Sequence, residues 1–98
     1  MPYVNQVYRD VIDPMMDGLM AYIGGMSRVE ELSAGNLNYI ITKIINEWVR
    51  SKGLRYATIN EVKGVLHCVI DEFNRRIVGP YEDSKIEDNG DVYPPELL

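Results

Sequence analysis

Cysteine and histidine are almost absent from this chain, which carries one of each, Cys68 and His67. A single cysteine excludes an internal disulfide framework. Neighbours on a helix point about 100° apart, so His67 and Cys68 alone cannot form a zinc site. No apolar run reaches the roughly eighteen residues of a membrane-spanning helix. The opening MPYVNQVYRD has no basic segment leading into an apolar one, unlike a secretory signal. The expected compartment is therefore the cytoplasm. Also missing are a phosphate-binding GxxxxGK(S/T), a GxGxxG, an HExxH and an EF-hand loop; Asp88-Asn89-Gly90-Asp91 lacks the ligand spacing of the last.

What is present belongs to a small globular protein. The chain has 98 residues, 46% hydrophobic and 26% charged, which argues against disorder of the whole. A chain this short builds one small core, so self-association is expected. The net charge of −5 is unevenly placed. Residues 80–98 hold six acids (Glu82, Asp83, Glu87, Asp88, Asp91, Glu96) and one base, Lys85, so the tail carries the whole excess. Such a tail argues against non-specific binding to nucleic acid.

The apolar spacing is helical. Asp13-Pro14 has the form of a helix start, an acid at the cap followed by proline. Met15, Met16, Leu19, Met20, Ile23 and Met26 follow, and Gly24-Gly25 stops the run. Residues 24–36 read as a connection with a short turn at Val29–Leu32. Leu37, Ile40, Ile41, Ile44, Ile45, Trp48 and Val49 then give the clearest amphipathic helix, ended by Gly53. Thr58-Ile59-Asn60-Glu61 has the form of a capping box. Behind it Ile59, Val62, Leu66, Val69, Ile70, Phe73 and Ile77 line one face, up to a predicted stop at Gly79-Pro80. The remainder has no apolar period. Asn89-Gly90 marks a turn, Pro94-Pro95 breaks any regular element, and Ile86, Val92 and Tyr93 could dock the tail on the body.

A helical wheel separates core from surface. On the second helix Tyr39, Lys43, Asn46 and Arg50 fall opposite the apolar stripe as one strip. A stacking ring, two cations and an amide suit an anionic aromatic ligand such as a nucleotide; the plainer reading is a solvated face. On the third helix Gly64, Cys68 and Val65 suggest a second packed face, against the tail or another subunit. Arg75 and Arg76 close that helix, where cations suit its dipole, and Asp71–Arg75 and Glu72–Arg76 are the expected pairs. Alternatively the two arginines present a fork to a phosphate or carboxylate. His67, at the edge of the stripe, reads as a packing residue.

The stretches Gly35-Asn36-Leu37-Asn38-Tyr39-Ile40-Ile41-Thr42, Tyr56-Ala57-Thr58-Ile59-Asn60 and Arg75-Arg76-Ile77-Val78-Gly79-Pro80-Tyr81-Glu82-Asp83, with Asn89-Gly90-Asp91-Val92-Tyr93, carry a family resemblance. The chain resembles short uncharacterised proteins of tailed phages and bacterial genomes, a domain of unknown function. Where that pattern places a glutamate before the cysteine and a tyrosine near the arginine pair, this chain has His67 and Phe73. The resemblance implies a phage or prophage setting, and hence the cytoplasm of a bacterial host cell, but no activity. By size and setting alone the chain is similar to oligomeric sponges that sequester nucleotide immune signals.

The prediction is an all-α fold, a small bundle of about three main helices over residues 1–79 followed by an irregular acidic tail over 80–98. The leading function is that of a non-enzymatic, phage-type binding protein, a homo-oligomer holding a small anionic ligand such as a cyclic nucleotide through Tyr39, Lys43, Arg50, Arg75 and Arg76. No cofactor, metal, membrane or nucleic-acid partner is expected. The rival is a protein-interaction module, or an inhibitor of a host protein, acting through the acidic tail. An enzyme using His67 and Cys68 is the third and least favoured class.

Overall fold

The computed structural model describes residues 2–26 and 32–98. It is all-α, with no strand among the described residues. The chain divides into two compact units, residues 1–62 and 63–98. The turn expected at Val29–Leu32 lies, but for Leu32, outside the described residues.

In the first unit, helix α1 spans Gln6–Ala21 and runs into a π-helical turn, Tyr22–Met26. It begins well before the predicted start at Asp13-Pro14. The Tyr8 and Arg9 amides donate to the Asn5 carbonyl, at 3.0 and 3.2 Å. The Gln6 amide donates to Asp10 Oδ1 at 2.8 Å. Pro14 therefore sits inside the helix. An interior proline removes one backbone bond and crowds the carbonyl four residues back. Apolar continuity overrides this local signal, because Val7, Val11 and Met15, and likewise Tyr8, Ile12 and Met16, extend the stripe upstream. The end falls where the glycines place it: Gly25 has φ 98°, a conformation that an L side chain resists.

Helix α2, Ala34–Lys52, contains the predicted amphipathic run. Ser33 caps it. Its hydroxyl accepts from the Asn36 amide at 3.2 Å and donates to Asn36 Oδ1 at 2.7 Å. Gly53, with φ 91°, ends the helix as expected, and Arg50 and Lys52 lie in the last turn, against its negative end.

Helix α3, Tyr56–Phe73, starts two residues before the predicted capping box. The Ile59 amide donates to the Arg55 carbonyl at 3.0 Å, so the first turn closes on Arg55, not on Thr58. Thr58 lies within that turn, 0% exposed, and its hydroxyl has no partner among the described residues.

In the second unit α3 does not stop at Gly79-Pro80. A π-helical turn, Asn74–Val78, leads into helix α4, Gly79–Asn89. The Gly79 amide donates to the Asn74 carbonyl, five residues back. The wider turn shifts the register so that Pro80 falls in the first turn of α4, where a missing amide proton leaves no intrahelical bond unmade. Glycine suits position 79, because an added Cβ would come within 3.3 Å of the Asn74 carbonyl oxygen. The first half of the acidic tail is thus helical, not irregular. The predicted turn at Asn89-Gly90 holds: Gly90 has φ 88° and its amide closes α4 on Ile86 at 2.8 Å. Beyond it come an Asx turn at Asp91–Tyr93 and a short 3-10 turn at Pro95–Leu97. Ile86, Val92 and Tyr93 are all exposed.

Among the described residues no apolar side chain is buried. Ile44 and Trp48 of α2 are 55% and 45% exposed, and Ile70 and Phe73 of α3 are 55% and 56% exposed. An added Cβ on Gly64, where a second packed face is expected, would meet nothing within 4 Å.

The Thr58 environment is directly testable. Thr58→Val keeps the shape and removes an unpartnered buried hydroxyl. It should raise the midpoint of thermal unfolding, by the equivalent of about 1 kcal/mol or less. A capping hydroxyl would behave oppositely, and its loss would lower stability by about 1 kcal/mol.

Candidate functional site

The strip read from the wheel lies on α2. Tyr39, Lys43, Asn46 and Arg50 are all exposed. Lys43 Nζ lies 6.0 Å from the centroid of the Tyr39 ring, at the outer limit of a cation–π contact. Arg50 instead turns to Glu47, three residues earlier, in an exposed ion pair. Its charge is offset by that neighbour and does not add to the Tyr39–Lys43 pair.

The same geometry recurs twice. Lys52 lies 5.0 Å from the Trp48 centroid and Lys85 lies 5.3 Å from that of Tyr81. Three of the four lysines therefore follow an aromatic residue by four positions. This pattern was readable from spacing alone, and by itself it is local helix packing. One feature sets Tyr39 apart. With Tyr22, Leu32, Gly35, Asn36 and Ile40 it lines an open hollow of about 500 Å³, between the end of α1 and the start of α2. Tyr22 and Asn36 were not singled out from sequence, because the hollow joins segments separated by the interhelical connection.

Arg75 and Arg76 lie in the π-helical turn of the second unit. The pairing there differs from the expected Asp71–Arg75 and Glu72–Arg76. Arg75 Nε donates to Glu72 Oε1 at 3.1 Å, and its Nη2 meets the same oxygen. Neighbours three apart on a helix are as close as those four apart, and the longer glutamate reaches the guanidinium. Arg76 makes no ion pair among the described residues. The five predicted ligand residues thus fall into a pair, Tyr39–Lys43, an acid-bound Arg50 on the same helix, and an arginine pair in the other unit. His67 is exposed and Cys68 half-buried. Among the described residues no three of His, Cys, Asp and Glu gather as a metal site.

These features define a small all-α protein of amphipathic helices, with an exposed cation–aromatic pair beside an apolar hollow. The chain belongs to the family described as Domain of unknown function (DUF6899), whose model matches residues 1–92. No curated protein and no solved structure matches it. Among the described residues no helix is long and apolar enough to cross a membrane.

The Arg50–Glu47 pair should matter little to folding. Both side chains are mostly exposed, 74% and 69%. Glu47→Gln should therefore change stability by about 0.5 kcal/mol or less in a denaturant titration. A larger loss would show that Arg50 is held in a structural role.

Proposed function

We propose that this protein is a non-enzymatic binding protein that works as an assembly of its own copies and holds a small anionic ligand of the cyclic-nucleotide type. The observation that carries the ligand is the Lys43 ammonium over the exposed Tyr39 ring, at the lip of a hollow. A ring for stacking and a cation for phosphate are the two elements such a ligand needs. Arg76, without an acid partner among the described residues, is a second cation open to an anion. Support for assembly comes from the apolar stripes of α2 and α3, which are left largely exposed. On the resemblance to short phage and prophage proteins, the protein would act in the cytoplasm of a bacterial host cell during phage infection, where it would sequester a signal, not convert it.

One observation favours a second reading. The helical start of the tail presents Glu82, Asp83, Glu87 and Asp88, all exposed, as an ordered acidic surface. Such a surface would suit a basic host protein. The two readings separate by calorimetric titration of the full chain with 3′,5′-cyclic AMP and cyclic di-AMP. Lys43→Ala and the double change Arg75→Ala, Arg76→Ala should each weaken binding by about tenfold or more, with helical circular dichroism intact. Unchanged affinity in both variants contradicts the ligand site. A partner that is captured by the full chain and lost on deletion of residues 80–98 would favour the acidic surface instead.

A further inference from the structure

The hollow beside Tyr39 has a composition that the anionic-ligand reading does not require. A site for a bare phosphate or carboxylate gathers cations and amide donors. This one is lined by two tyrosines, Tyr22 and Tyr39, by Leu32 and Ile40, and by Gly35 and Asn36. Its volume of about 500 Å³ lies within the range of small-molecule sites, roughly 300–1,000 Å³. One of its side chains, Asn36, carries hydrogen-bonding groups that can read the edge of a ring. The Asn36 carbonyl oxygen already accepts from the Ser33 hydroxyl, which fixes the amide in place. That leaves the side-chain NH2 as the group able to donate to a ligand. The charge is on Lys43, which does not line the hollow and lies over the Tyr39 ring, 6.0 Å from its centroid.

An apolar seat with aromatic walls, one fixed amide and a cation at its edge is complementary to a planar heteroaromatic ring joined to a phosphate. We infer that the hollow seats the base of a nucleotide, with Tyr22 and Tyr39 as stacking surfaces, Asn36 as a donor to an acceptor on the base edge, and Lys43 outside on the phosphate. This deepens the proposed function and rests on it. It also adds a specificity that the charges alone cannot supply, because a lysine does not distinguish a nucleotide from any other phosphate ester, whereas an aromatic slot does.

The test compares two probes that share a phosphate and differ in the base: 3′,5′-cyclic AMP and the base-free methyl riboside 3′,5′-cyclic phosphate. With the unmodified full chain, cyclic AMP should bind more tightly by about 5-fold to 100-fold, the worth of stacking one base. Tyr22→Leu should remove most of that advantage and leave the affinity for the base-free probe within about twofold, whereas Lys43→Ala should weaken both probes alike. A second measurement needs no variant. The ring protons of Tyr22 and Tyr39 should shift upfield in nuclear magnetic resonance spectra with cyclic AMP and not with the base-free probe. Equal affinities, or tyrosine signals that respond to both probes alike, would overturn the base seat and leave the anion-binding reading standing. Binding of neither probe would overturn both.

Discussion

Burial of the apolar stripes is the constraint on which everything else in this protein depends. The backbone largely satisfies itself, because each helix closes its own ladder of hydrogen bonds. The side chains do not, since none of the apolar ones among the described residues is buried. Isolated helices of 16 to 19 residues, the lengths of α1, α2 and α3, are marginal in water. Their stability must come from apolar area removed from water, at about 25 cal/mol per Å². The stripes are broad and regular enough to supply it only when another apolar surface meets them. Copies of the same chain are the proposed source. Residues 1–79 hold as many acids as bases, so on that proposal copies would approach through this region without net repulsion, with the charge excess held in the tails.

The breaks between helices follow a second constraint, the conformational reach of glycine. Gly25, Gly53 and Gly90 take positive φ, and each stands at a helix end. The first two ends were legible in the sequence for that reason, and Asn89-Gly90 was legible as a turn though the helix before it was not. The two proline signals were not. Asp13-Pro14 looks like a start and Gly79-Pro80 like a stop, yet helix runs through both. In the first case the stripe from Val7 onward outweighs one missing backbone bond. In the second the π-helical turn absorbs the proline by a change of register. Local breaker rules describe what one residue prefers. Apolar continuity over several turns describes what the segment gains, and here it prevails. The Thr58–Glu61 pattern failed differently: the first turn of α3 closes on the Arg55 carbonyl, before the capping residues are reached.

The candidate site was legible in part. The wheel places Tyr39, Lys43, Asn46 and Arg50 on one strip because helical spacing is fixed by geometry, and α2 forms as predicted. Which acid each arginine meets was not readable, since partners three and four residues away are equally near on a helix. Arg50 chooses Glu47, and Arg75 chooses Glu72. The hollow was not readable at all. It joins the π-helical turn after α1 to the start of α2, and periodicity within one helix has no signal for which residues of two helices line a common hollow.

Sedimentation equilibrium of the purified full chain, across a range of concentrations around the micromolar, tests the central claim most directly. Assembly through the exposed stripes predicts a mass that is an integer multiple of 11.2 kDa, with helical circular dichroism and assembly lost together on dilution. A single chain of 11.2 kDa that stays folded and helical at every concentration would contradict it.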